Sequence, residues 1–260
     1  MSAARVSVSL FGNSGGLLVS GKRGALRPYR TYATELRHTE VDGVGFDVAV
    51  HSRMRGEVKQ VMSAWVYPLA GERPDVVVLQ FGGAEGAALV FPPAVINFLI
   101  GIARRGGPRR DRFWAMAKKA LMWEHRIESR VDEHLPLWWS RSPSRQFEHD
   151  LRRFVHQVNA QIGSRVILMD IMTMSDDALF VSKRTLERLA VNAAIQRRVA
   201  DELGAEVFPM GDVLAKWDFA AAFPDGAHLS VPAHRAVGQA LAEWIVRGPG
   251  PVSPAPVPHG

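Results

Sequence analysis

VVVLQF, residues Val76 to Phe81, is an apolar run interrupted only by Gln80. Strict apolar/polar alternation marks a strand with one wet face, whereas a continuous run marks a strand covered on both faces, as in a parallel sheet. Arg73-Pro74-Asp75 supplies a turn just before it. Working outward, Gly45 to His51 (GFDVAVH) and Arg5 to Phe11 (RVSVSLF) read as earlier strands. Ser164 to Ile171 (SRVILMDI) and the short Ala205 to Phe208 read as later ones. Between them lie helical patterns. Val58, Val61, Met62 and Trp65 share a face over 57–67, Leu186 to Leu203 is amphipathic with Gly204 placed to end it, and 232–247 forms a closing helix. Strands alternating with helices predict an α/β chain, a three-layer α/β/α sandwich around a central parallel sheet. Sites in such folds gather outside the carboxyl ends of the strands.

The expected organisation is one domain over 1–247. The segment 104–146 breaks the alternation, opening on RRGGPRRDR and continuing with helical material that holds Trp114, Trp123, Trp138 and Trp139. It is longer than an ordinary connection and is expected to be a helical insertion or lid. The tail 248–260, GPGPVSPAPVPHG, is rich in Pro and Gly and is expected to be disordered.

Composition narrows the chemistry. The chain has 260 residues, 47% of them hydrophobic, and no cysteine, so thiolate nucleophiles, disulfides and cysteine-based zinc sites are excluded. His51, His125, His134, His149, His156 and His234 show no metal-ligand spacing, and no metal or cofactor is expected. A net charge of +6 suits anionic partners such as a coenzyme A thioester or an acidic acyl carrier protein. No nucleic-acid-binding motif accompanies the charge. The most apolar stretch, 87–103, is broken by Pro92 and Pro93, so no membrane span is expected. The amino terminus reads as a first strand rather than a leader, and a cytoplasmic location follows as the expectation.

Ser14 sits in a glycine-rich turn, FGNSGG, directly after the first strand. Asp225 and His228 sit in PDGAHLS, just before the last helix. A serine hydroxyl needs a base to take its proton, a carboxylate to orient that base, and donors for the oxyanion. Their order along the chain makes Ser14, Asp225 and His228 the candidate triad.

With these residues in place, the chain resembles the SGNH/GDSL hydrolase family over roughly 5–245, outside 104–146. FGNSGGLL resembles the first block, with Asn13 where Asp is usual. HSRMRGEV resembles the second, and DGAHLS matches the Asp-x-x-His of the fifth. The resemblance implies a flavodoxin-like sandwich and a serine esterase or thioesterase of a small acylated molecule. It also implies an oxyanion hole built from the backbone N–H groups of Ser14 and Gly56. LQFGGAEG resembles the third block, normally Gly-x-Asn-Asp, but Ala84 stands at the Asn and Glu85 at the Asp. One such donor is worth about 10²–10³ in rate. Acyl transfer by the same serine, and a non-catalytic binding protein, therefore stay open as alternatives. Glu85, Trp138 and Trp139 are the expected substrate contacts. Oligomeric state is not readable.

Overall fold

A computed structural model describes residues 4–13, 30–52, 57–59, 66–86, 88–89, 139–140, 142–171, 183–224, 228–252 and 254–256. The strands are β1 (Ala4–Gly12), β2 (Val44–Val50), β3 (Val76–Gln80), β4 (Ala88–Leu89), β5 (Trp139–Ser140), β6 (Arg165–Met169) and β7 (Glu206–Phe208). Five of them form a parallel sheet in the order β2-β1-β3-β6-β7. β4 and β5 form a separate antiparallel pair. The helices are α1 (Tyr32–His38), α2 (Val66–Glu72), α3 (Gly83–Gly86), α4 (Ser144–Gln161), α5 (Lys183–Leu203), α6 (Met210–Val213), α7 (Phe219–Ala222) and α8 (Val231–Arg247). The α/β sandwich expected from the sequence is the observed one.

The run at 76–79 is buried on both faces, and its residues divide alternately between two cores. Val76 and Val78 join a cluster with Val8, Leu10, Tyr32, Leu36, Val237 and Leu241 under α1 and α8. Val77 and Leu79 join Phe11, Phe147, Leu151, Phe154 and Val199 under α4 and α5. Val77 and Val78 are both 0% exposed. Each such burial contributes roughly 1.5–3 kcal/mol. α8 lies so close to α1 that a Cβ added at Gly238 would stand 2.8 Å from Glu35 Cβ and 2.9 Å from the Tyr32 carbonyl oxygen. Glycine lets the two backbones meet there.

The strand order reverses between β1 and β3. The helices that follow them pack on opposite faces, α1 against α8 and α3 against α5, and in open α/β sheets such a switch point at the carboxyl ends is the usual place of a site. Gly12 pairs with Gln80 at that edge.

Two expectations change. The tail is not loose over its described part. The Ala255 N–H donates to the Val213 carbonyl at 2.9 Å, and the Ala255 carbonyl accepts from Trp217 Nε1 at 3.0 Å. Val252 and Ala255 also pack against the α1/α8 core. Prolines fix φ and leave less chain entropy to lose on docking, so a Pro-rich segment with a few apolar contacts is held. The segment bounded at 146 also gives way earlier than expected, because α4 starts at Ser144 and its Phe147, Leu151, Phe154, Val155 and Val158 are buried at helical spacing. The helix expected over 57–67 is described at Val58 and Lys59 and again from Val66. The basic run 104–112 and Trp114, Trp123 and Trp138 lie outside the described residues. No helix among the described residues is long and apolar enough to cross a membrane.

Candidate active site

Two polar contacts tie α1 and α8 to β3 at the carboxyl ends of the strands. Tyr32 opens α1, so its amide has no partner within the helix. His234 Nδ1 accepts that N–H at 3.0 Å. An accepting Nδ1 is unprotonated, which sets the neutral imidazole with its proton on Nε2. His234 is 0% exposed, and its ring stacks on Tyr32 with centroids 5.7 Å apart. The Tyr32 hydroxyl donates to Gln80 Oε1 at 2.7 Å. Burial raises the Tyr32 phenol and keeps it protonated. The amino ends of α1 and α8 are thus fastened to the last residue of β3.

The turn after β3 is pinned from several directions. Gly82 has φ +102, and a Cβ there would stand 2.2 Å from Ile171 Cδ1. Only glycine fits such a conformation without strain. Gly82 caps α3, and the Glu85 carboxylate reaches back to its N–H, Oε2 accepting at 2.8 Å. This is the return half of a capping box. Asn192 Nδ2, from α5, donates to the Gly82 carbonyl at 3.0 Å. The other Glu85 oxygen, Oε1, accepts the Val58 N–H at 3.1 Å. Val58 follows Gly56 by two residues.

Glu85 is 1% exposed, with both oxygens engaged by backbone amides. The expectation of a substrate contact at Glu85 is therefore replaced by a brace between two loops. Loss of solvent pushes its carboxyl up to about 7, against the lowering effect of the amides. A second carboxylate behaves alike. Asp170, just beyond β6, is pushed up to about 6 by burial, although it accepts the Gly211 N–H at 3.2–3.3 Å.

Around β1 and β2, His51 stacks on Phe11 with centroids 4.7 Å apart, and its Nε2 lies 3.3 Å from Glu72 Oε2. Ser52 Oγ is buried, with no hydrogen-bond partner among the described residues. It lies 3.3 Å from the position a Gly12 Cβ would take.

His228 is half-buried and precedes α8 by three residues. Ser230 caps α8, its hydroxyl accepting the Ala233 N–H at 3.4 Å, while its own N–H binds the Ala222 carbonyl at 2.8 Å. The chain from His228 thereby enters α8 at its amino end, where His234 meets Tyr32. Ser14, Gly56, Asp225 and Trp138 lie outside the described residues, as do the side chains of Ala84 and Trp139. Gln80, Tyr32, His234, Asn192 and Asp170 join this region without any mark of it in the sequence pattern. The readable signal is Gly82-x-x-Glu85, a capping-box spacing. The others meet through contacts distant in sequence.

No family model matches the chain, and no curated protein matches its sequence. Solved structures do match in fold. A carbohydrate acetylesterase from Sinorhizobium meliloti, Est24, superposes with TM-score 0.57 at 14% identity, covering 93% of this chain and 99% of its own. The aryl esterase of M. smegmatis gives TM-score 0.57 and 14% identity, again over 93% and 99%. A protein assigned as a GDSL-like lipase from Parabacteroides merdae gives TM-score 0.56 and 13% identity over 95% and 98%. At these identities the likeness is one of fold, and it extends over nearly the whole of each chain: this protein has the SGNH/GDSL hydrolase fold.

Proposed function

We propose that this protein is a serine esterase or thioesterase acting on a small acylated molecule. Ser14 attacks the acyl carbonyl, His228 takes the serine proton and returns it to the leaving group, and Asp225 orients the imidazole. Water then releases the acyl group through the same base. The observation that carries this reading is the convergence at the sheet's switch point. β1 ends two residues before Ser14, while α8, entered just after His228, is fastened through His234 and Tyr32 to Gln80 of β3. Est24, a carbohydrate acetylesterase, and the aryl esterase share this fold, which supports ester hydrolysis as the reaction. Backbone N–H groups of Ser14 and Gly56 serve as oxyanion donors, with no side-chain donor at Ala84. Trp138 and Trp139 are proposed as walls of the acyl pocket. The positive charge favours an acyl group carried on coenzyme A or an acidic carrier protein, in the cytoplasm.

The test is covalent. A fluorophosphonate probe is expected to label Ser14, and His228→Ala is expected to suppress labelling because the serine loses its base. Absence of an adduct on folded protein at high probe excess would instead support a non-catalytic binding protein. Comparing acetyl-coenzyme A with p-nitrophenyl acetate then separates a carrier thioester from a simple ester. Product analysis with added alcohols or amines separates hydrolysis from acyl transfer.

A further inference from the structure

We propose that Glu85 is a positioning residue whose carboxylate clips the chain at Val58, two residues past the proposed oxyanion donor Gly56, to the turn at Gly82, and whose ionisation sets how firmly that clip is closed. The inference rests on the esterase reading for its catalytic consequence, but the clip itself does not.

The geometry is specific. A carboxylate has two oxygens and no proton, so it accepts both the Val58 and the Gly82 N–H at 3.1 and 2.8 Å. A protonated carboxyl turns one oxygen into an O–H, which faces an N–H and no longer pairs well with it. Only the ionised form closes both halves. The rest of the turn offers no slack to compensate. Gly82 is fixed by its positive φ, by Ile171, and by Asn192 on its carbonyl. Val58 is itself buried in the core under α4 and α5, so opening of the clip is read at its amide.

The charge environment is simple. Among the described residues, the charged group acting on Glu85 is Glu57, which disfavours ionisation. From α4 the turn meets Phe147, from α5 Leu189 and Asn192, and from the segment after β6 Ile171. None of these carries charge. Ionisation near neutral pH, at about 7, follows from burial against these walls. The family resemblance expects a side-chain donor at position 84, and Ala84 lacks it. Holding the Gly56 segment in place then matters more, because fewer donors share the oxyanion.

The first measurement is independent of activity. Amide shifts of Val58 and Gly82 are followed by NMR from pH 5 to 9 in the intact protein. Both are expected to move together with one midpoint near 7, and Glu85→Gln is expected to remove the shared inflection. Separate or absent inflections in the wild type, or an inflection that persists in E85Q, would overturn the clip. The second measurement reads function with p-nitrophenyl acetate. In the wild type Glu85 must be deprotonated to close the clip, so log kcat/KM is expected to climb more steeply on the acid side than in a variant that lacks this ionisation. E85Q is expected to climb less steeply and to be slower by about ten- to hundredfold, a partial loss of one oxyanion donor. Glu85→Asp keeps two acceptors and is expected to retain the steeper slope at reduced rate. Equal slopes in wild type and E85Q would overturn the catalytic consequence. Loss of all turnover and labelling in the wild type would fail the esterase reading while the NMR result still decides the clip.

Discussion

At the amino ends of the strands, carboxylates sit beside cations or hydroxyls. Arg165 pairs with Glu206 through two nitrogens, Trp244 Nε1 donates to the same carboxylate at 2.7 Å, and Arg165 also reaches the carbonyls of Trp244 and Ile245. Asp75 accepts from the Ser7 N–H and hydroxyl, which hold it below the usual carboxylate range. At the carboxyl ends the pattern inverts. Glu85 and Asp170 accept backbone amides, no cation among the described residues lies within salt-bridge reach of either, and burial raises both. One end of the sheet uses charge to hold the fold, and the other keeps carboxyls poised to titrate near neutrality. Perturbed groups of the second kind cluster at functional sites, because proton transfer needs them.

The largest expected effect separates the ends by activity. Ser14→Ala is expected to lower ester hydrolysis by at least about a thousandfold, with its denaturant midpoint unchanged. Retained turnover would remove the carboxyl end's claim to chemistry. Next is Gly82→Ala, which forces a methyl against Ile171 at positive φ. We expect a loss of about 3 kcal/mol by urea unfolding, combining backbone strain with overpacking. A loss below about 1 kcal/mol would mean the turn is softer than its geometry states.

The pH dependence of stability should also differ between the ends. Glu85 is raised from 4.5 in the unfolded chain to about 7 in the folded one. The folded state therefore holds that proton more tightly. Its contribution to stability is full below about 4.5 and is lost as pH rises to about 7, with a slope approaching about 1.4 kcal/mol per pH unit. Asp75 is shifted the other way, so its contribution is present above its unfolded value of 3.8 and lost as pH falls. Unfolding curves for wild type and E85Q between pH 4.5 and 7 should diverge in slope, and parallel curves would remove the asymmetry. The smallest effect belongs to the amino end. Arg165→Met is expected to cost about 1–2 kcal/mol, since the pair is partly exposed, and to leave kcat within about twofold. A larger fall in kcat would show that the two ends are coupled.

Much of this architecture is legible in sequence because it rests on short-range periodicity. VVVLQF carries its two-sided burial in its composition, and the amphipathic face of 186–203 is visible without partners. Glu85 shows where such reading fails. Its residue type and block position suggest a group facing substrate, while its actual partners are backbone amides, one of them 27 residues away at Val58. Asn192 meets Gly82 across a separation of 110, and His234 meets Tyr32 across 202. Such pairs arise only after the sheet has formed. The tail misleads for a related reason: its composition is dominated by Pro and Gly, yet one alanine and one valine pack where docking sites are already built.

The docking of Ala255 bears on how the protein should be handled at the bench. Its two hydrogen bonds fall on Val213 and Trp217, at and just beyond α6, and α7, which follows, ends six residues before His228. Cutting the chain after Arg247, or fusing cargo there, would unmoor that stretch from its anchorage. A version of the protein trimmed for tidiness at this end would then carry the proposed base, His228, on a slackened tether, and an assay of it would understate the proposed activity.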